Sequence, residues 1–224
     1  MATEFYAPIL SGSGAFQRKW GTEKNVVEPY ITGYHFGYFQ YIPPGVGVVL
    51  ENLFPDAPPA KSINNILSSL IMSVDIPPGT LNKIEFPGVG GIKSTAPAFQ
   101  EIDNSFSVKF LEVSGIPVFK ILSSWCYLMR DTVLGVTSLP VYNKSNYAGS
   151  MYYWTTKPDG VSIEFAAYIT GIYPTKNPFD AFSHDLTNID RLDITAEFAM
   201  DYILVNKEVY SKCASLAAIY KKNA

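Results

Sequence analysis

The sequence predicts a mainly β protein, an antiparallel β-sandwich or barrel with one packed α-helix. Three observations carry that prediction: a hairpin signature over 151–173, a cleanly alternating strand over 191–202, and earlier apolar runs that stop at Pro-Pro-Gly. In the hairpin, Met151-Tyr152-Tyr153-Trp154-Thr155-Thr156 and Val161 through Tyr173 flank Lys157-Pro158-Asp159-Gly160. Proline presets φ for a type I turn, and glycine takes the left-handed position that closes a bulged hairpin. In the last strand, Leu192, Ile194, Ala196, Phe198, Met200 and Tyr202 alternate with Asp193, Thr195, Glu197 and Asp201. Side chains on a strand alternate faces, so one face is core and the other a short row of acids.

The remaining elements follow in chain order. Residues 1–29 read as an arm, with a Ser11-Gly12-Ser13-Gly14 joint and the apolar anchors Phe5, Tyr6, Phe16 and Trp20. Tyr30 to Ile42 is a first aromatic strand, with Tyr34, Phe36, Tyr38 and Gln40 on one face and Pro43-Pro44-Gly45 as its stop. The connection at 43–61 carries Pro55, Pro58 and Pro59 and is read as unable to hold a helix or a central strand. Ser62 opens a short helical turn before a second strand, Leu67 to Ile76, which Pro77-Pro78-Gly79 ends. Residues 80–100 form a Gly- and Pro-rich excursion containing Gly88-Val89-Gly90-Gly91. In the third strand, Asp103 to Val113, Phe106, Val108 and Phe110 point in and Ser105, Ser107 and Lys109 point out. Pro117 fits the first turn of a helix running to about Arg130, with Ile121, Leu122, Trp125 and Leu128 as its buried stripe. A β domain over 30–205 thus precedes a C-terminal helix within 206–224, which carries Val209, Cys213, Leu216 and Ile219 along one side.

Composition narrows the function classes. A chain of 224 residues with 47% hydrophobic and 17% charged residues can bury a large core and keeps much neutral surface, as expected where subunits meet. The net charge of −3 argues against a nucleic-acid binder, which needs a basic stripe to displace counterions. Cys126 and Cys213 are read as unpaired thiols of a protein made in reducing cytoplasm. No stretch has the apolar length that spans a bilayer, so the expectation is a soluble chain with no membrane insertion.

No catalytic, metal or cofactor motif stands out. His35 and His184 have no Asp, Glu, Cys or His at ligand spacing and are read as structural. Gly88-Val89-Gly90-Gly91 lacks the Lys-Ser/Thr and following helix of a phosphate loop. Ser123 and Ser124 lie mid-helix without a neighbouring base, and Asp185 and Asp190 fall in a turn. Tyr152, Tyr153 and Trp154 read as core and cross-strand pairs ahead of a stacking platform. What remains is the polar outer face of the two C-terminal strand regions. Ser162, Glu164, Ala166, Tyr168 and Thr170 face away on the hairpin, beside Asp193, Thr195, Glu197 and Asp201, with no lysine ladder among them. Such a surface suits the wall of a water-filled channel.

The order of elements resembles the tail tube proteins of contractile-tailed bacteriophages, relatives of secretion-system inner tubes. The resemblance rests on Ser73-Val74-Asp75-Ile76-Pro77, then the Asp103, Phe106, Val108, Phe110 strand, then a helix with Trp125. It is strongest in Tyr147-Ala148-Gly149-Ser150, the hairpin, Ile172-Tyr173-Pro174, a spacer with Asp185 and Asn188, Ile194-Thr195-Ala196-Glu197-Phe198 and Asp201-Tyr202. It spans roughly residues 30–205; the arm, the 43–61 segment and the C-terminal helix are departures. The resemblance implies a non-enzymatic virion protein whose inner strands form a continuous barrel across a six-subunit ring. The rings stack into a tube that conducts DNA, assembled in the host cytoplasm with tail sheath, baseplate and tape-measure proteins. On that reading Glu164, Asp193, Thr195, Glu197 and Asp201 line the lumen, and Pro43, Pro44, Pro58, Gly88 and Gly90 belong to ring-to-ring contacts. A baseplate tube initiator, a secretion-system tube and a monomeric β-sandwich ligand binder are the alternatives.

Overall fold

Strands form where the sequence alternates, and the alternation decides which side of the sheet becomes core. The structure, a computed structural model, describes residues 34–76, 104–130, 143–157, 159–160, 162–179 and 192–219, and the backbone of 16–20, 23–27, 79–87, 93–102 and 220–223. The strands are β1 (Phe16–Trp20), β2 (Glu23–Val27), β3 (His35–Tyr41), β4 (Ile71–Asp75), β5 (Gly79–Pro87), β6 (Lys93–Ile102), β7 (Ser105–Leu111), β8 (Gly149–Thr156), β9 (Ile163–Pro174), β10 (Asp193–Ala199) and β11 (Tyr202–Leu204). The helices are α1 (Pro44–Leu53), α2 (Ile63–Ser69), α3 (Pro117–Met129) and α4 (Lys207–Asn223). Seven strands make one antiparallel sheet in the order β3-β8-β9-β10-β7-β4, with β11 also on β9. β1 with β2 and β5 with β6 form separate two-stranded sheets.

The fold is mainly β and sandwich-like, as the alternation predicts. One large core joins Phe39, Phe106, Phe110, Met151, Ile169 and Ile194 of the sheet to residues of α1, α2 and α3. Phe198 lies at its centre, its ring 5.4 Å from Phe106, 6.1 Å from Phe39 and 6.1 Å edge-on to Trp125. Three such aromatic contacts add packing beyond plain area burial. A second, smaller cluster sits on the opposite side of the sheet, where Val209, Cys213 and Ala217 of α4 cover Trp154 and Ala166.

The helix over 117–130 forms as predicted, with Ile121, Leu122, Trp125 and Leu128 buried. The motif Tyr147-Ala148-Gly149-Ser150 is tied to it: the Trp125 indole Nε1 donates to the Tyr147 carbonyl at 2.7 Å. A Cβ on Gly149 would lie 2.6 Å from the Tyr41 carbonyl oxygen and 3.0 Å from the Trp125 ring, so only glycine fits that approach. The hairpin closes as predicted too, with Gly160 N–H donating to the Lys157 carbonyl at 2.9 Å and Gly160 at φ +70°.

Several expectations need correction. The 43–61 segment holds a helix after all: Pro44 occupies the first helical turn, where its missing N–H costs nothing, so Pro-Pro-Gly starts α1 as well as stopping β3. Of the four helices described, α3, α4 and the short turn after Ser62, which is α2, answer expected ones, and α1 is the unexpected one. The run Leu67 to Ile76 divides into the end of α2 and β4, with Leu67 buried from the helix. The 80–100 excursion is a long hairpin; Pro97 is tolerated because both strands of a two-stranded sheet are edges. The strand predicted over 191–202 breaks after Ala199: β10 pairs with β7, and β11 crosses to pair with β9. Within the α4 stripe Ile219 is 57% exposed, and Ala217 takes the buried place instead. The Ser11–Gly14 joint, Phe5, Tyr6, Tyr30, Gly88–Gly91, Asp103, His184, Asp185, Asn188, Asp190 and Arg191 lie outside the described residues.

Candidate functional site

The pairing that fills the core also sets what the sheet shows on its other side. Across the β10–β7 ladder, Ile194 faces Phe110, Ala196 faces Val108 and Phe198 faces Phe106, all buried. The intervening pairs are therefore outward: Asp193 with Leu111, Thr195 with Lys109 and Glu197 with Ser107. β4 extends the same surface, placing Ser73 opposite Lys109 and Asp75 opposite Ser107. Thr195, Glu197, Ser73, Asp75 and Ser105 are exposed, while Asp193, Ser107 and Lys109 are half-buried. The result is a three-strand face of Ser, Thr and acids, with Leu111 at its end and, among the described residues, one cation, Lys109.

The other half of the sheet is different. On β8 and β9 the side opposite the core is covered by α4, so Ala166 and Tyr168, read from the sequence as facing away, pack against the helix. Phe36 stacks on Trp154 with centroids 5.5 Å apart, and Tyr152 lies 4.8 Å from Tyr168 under the same cover. Tyr153 and Trp154 are buried and Tyr152 half-buried, so the aromatic row is core and cross-strand packing.

The predicted acidic row is consequently split. Asp193, Thr195 and Glu197 stand together on β10. Asp201 lies past the end of that strand, where its N–H donates to the Thr170 carbonyl and its carboxylate pairs with Lys144. It flanks a cavity of about 430 Å³ lined also by Gln40, Tyr41, Ser150 and Thr170. Glu164 sits at the hairpin end of β9, at an irregularity where Thr155 pairs with Phe165 and Thr156 with Ile163. It approaches Lys157 at 4.0 Å, and its carbonyl accepts from the Tyr210 hydroxyl at 3.4 Å.

Gly171 sits beside Asp201. It has φ +70°, and β8 pairs Ser150 with Thr170 and Gly149 with Ile172, skipping it. This is a glycine bulge, which inserts one residue and reverses which side the following residues face. Ile169 before it and Ile172 after it both reach the core. A Cβ on Gly171 would lie 2.0 Å from Asp201 Oδ2, so the bulge also makes room for that carboxylate.

Other singled-out residues have structural occupations. Pro43 is buried ahead of α1, Pro44 is exposed in its first turn and Pro58 is half-buried; Gly88 and Gly90 are outside the described residues. His35 Nδ1 lies 2.8 Å from the Tyr153 hydroxyl. The Ser123 hydroxyl donates to Asn177 Oδ1 and that of Ser124 to the Lys120 carbonyl. Burial pushes the Cys126 thiol up to about 12 and the Cys213 thiol up to about 11. Among the described residues no group of three or more His, Cys, Asp or Glu is placed to hold a metal. Among them, too, no helix is long and apolar enough to cross a membrane.

Sequence reasoning missed Glu112. It is buried, and its carboxylate accepts from the N–H groups of Val113, Val118 and Phe119 at 3.0, 3.3 and 2.8 Å. An acid at a helix start satisfies orphan donors and complements the helix dipole. The available signal was an acid five residues before the Pro117 that opens α3.

Solved structures similar to this chain include an extracellular contractile injection system, the PVC sheath/tube terminator in its extended state. That match has a TM-score of 0.42 at 14% identity, covering 61% of this chain and 84% of that one. The anti-feeding prophage tube-terminating cap matches with a TM-score of 0.42 at 12% identity, covering 61% and 79%. The anti-feeding prophage baseplate matches with a TM-score of 0.44 at 9% identity, covering 80% and 97%. No protein-family model matches the chain, and no curated protein matches it.

Proposed function

We propose that this chain is a structural, non-enzymatic subunit of a contractile tail. Within that class it forms the inner tube, six subunits to a ring, with the rings stacked and enclosed by sheath. The observation that carries this reading is the division of one sheet into a helix-covered half and a bare polar half. A bare face of Ser73, Asp75, Ser107, Thr195 and Glu197 is what a wetted channel wall needs. The strand edges favour the same reading. Among the described residues β10 meets β9 only at Phe198 and Ala199, and β11 is paired on one side only. Unpaired edges in a native sheet call for a partner strand, and a neighbouring subunit supplies one when the sheet continues around a ring.

In this tube Asp193, Thr195 and Glu197 line the lumen. A neutral to acidic wall does not hold phosphates, so a DNA duplex slides without being bound. Asp201 and Glu164 sit at the margins of that wall. Ring stacking is assigned to the 43–61 segment, where α1 presents Val48 and Leu53 to solvent, and to residues 88–92 between β5 and β6, which include Gly88 and Gly90. The tube ends meet baseplate and tape-measure proteins, in a virion tail assembled in the host cytoplasm.

Negative-stain electron microscopy of the purified protein over a concentration series tests the reading. Stacked rings or hollow tubes of uniform width support it, and rings that never stack move the chain to a tube initiator. A monomer at every concentration, even with purified baseplates added as nuclei, overturns it in favour of a discrete ligand-binding domain.

A further inference from the structure

Three of the four acids that the sequence offers for the channel wall are each matched to a lysine. Asp193 Oδ2 is 3.0 Å from Lys109 Nζ, Asp201 pairs with Lys144, and Glu164 approaches Lys157. Lys109 is the most enclosed by charge. It stands in the middle strand of the bare face, directly between Ser73 of β4 and Thr195 of β10. Asp193, Glu197 and Asp75 occupy the diagonal positions around it, within reach of a long side chain across a sheet. It is also the one cation that the outward positions of β4, β7 and β10 present among the described residues.

Stability does not account for this arrangement. The side chains of Lys109 and Asp193 are 44% and 24% exposed, and ion pairs this accessible add little to folding. What the pairing does change is the chemistry of the face toward a polyanion. A free ammonium on a Ser/Thr surface is a phosphate-binding point, and each phosphate contact releases counterions and strengthens binding at low salt. A carboxylate held 3.0 Å away occupies that ammonium and puts a negative charge in the path of a second anion.

We propose that Asp193 is a shielding residue, whose role is to keep Lys109 from capturing the nucleic-acid backbone that passes the face. This rests on the tube reading for the identity of the polyanion, and on the ion pair alone for the masking. Lys109 in turn keeps the wall from becoming so acidic that three neighbouring carboxylates repel one another in a narrow ring. The acids of the wall thus act as guards on specific cations more than as a uniform repulsive lining.

The experiment titrates the full-length, unassembled chain with a short DNA duplex between about 50 and about 200 mM salt. The wild type, Asp193→Asn, Asp193→Ser, Lys109→Ala and Asp193→Asn/Lys109→Ala are compared after circular dichroism has shown that each is folded. The expected result is retention of duplex by both Asp193 variants, with log K against log salt steeper by about 0.9 per freed lysine. Removing Lys109 from the same background abolishes the gain. Asp193 variants that bind no better than wild type, or a gain that survives Lys109→Ala, overturn the proposal. Because the titration needs no tubes, the two readings fail separately. Tubes without the binding gain sink the shielding role, and the gain without tubes sinks the tube.

Discussion

The two halves of the sheet share one core yet present opposite exteriors. β8 and β9 carry Trp154, Ala166, Tyr152 and Tyr168 on the side away from the main core, and α4 covers them. β10, β7 and β4 carry Asp193, Thr195, Glu197, Lys109, Ser107 and Asp75 there, and none of the described helices covers them. Each half follows from its residues: an aromatic outer row requires a second layer, and a Ser/Thr/acid row does not. The outer face of a strand is thus assigned by both its alternation and what the rest of the chain can lay over it.

The largest test of that contrast is a pair of substitutions. Trp154→Ala, beneath α4, is expected to cost about 3–5 kcal/mol in denaturant unfolding, through the cavity left between helix and sheet. Thr195→Ala, on the bare half, should shift stability by no more than about 0.5 kcal/mol. Equal losses at the two sites would erase the distinction. Next in size is Glu112→Ala, which removes two hydrogen bonds to the start of α3 and a third to the Val113 N–H, and should cost about 2–3 kcal/mol by the same measurement. Gly171→Ala, at the bulge of β9 opposite β8, should cost about 1–3 kcal/mol, since a side chain at positive φ also meets Asp201. An unaffected melting temperature there would mean that the positive φ and the contact with Asp201 are not strained by a side chain.

The smallest effect is read by thiols. Both cysteines are held protonated by burial, so at pH 8 iodoacetamide should modify the urea-unfolded chain far faster than the native one. Val209→Ala loosens α4 and should speed labelling of Cys213 while leaving Cys126 unchanged. The sign of the pH effect follows: the raised thiol values favour the fold below the ordinary value of about 8.5. That contribution is lost as pH rises through about 11 at Cys213.

Much of the fold is written in local sequence pattern. The alternation of Ile194, Ala196 and Phe198 against Asp193, Thr195 and Glu197 held because a half-buried strand leaves a period of two in its residues. Pro117 and the Ile121–Leu128 stripe marked α3 for the same local reason. The failures were non-local. The fate of Ala166 and Tyr168 depended on a helix some 40 residues later that Val209, Cys213 and Ala217 bring back over them. The continuity of the acidic row depended on where β10 ends, after Ala199, which the alternation through Tyr202 does not record. The Pro-rich 43–61 segment misled because Pro44 stops a strand and starts a helix with equal ease. The ion pair of Asp193 with Lys109 needed the β10–β7 register, which neither strand specifies alone.

The most direct test of the central claim asks whether the bare half of the sheet is the inner wall. Thr195→Cys and Ser215→Cys variants, the first on β10 and the second on the exposed side of α4, are assembled into tubes and treated with a maleimide on a large polymer. Cys126 and Cys213 supply little background because burial keeps their thiols protonated. Both variants should label readily before assembly, and only Ser215→Cys should label in intact tubes. Equal labelling of both in intact tubes, or protection of Ser215→Cys alone, would place the bare face outside and contradict it.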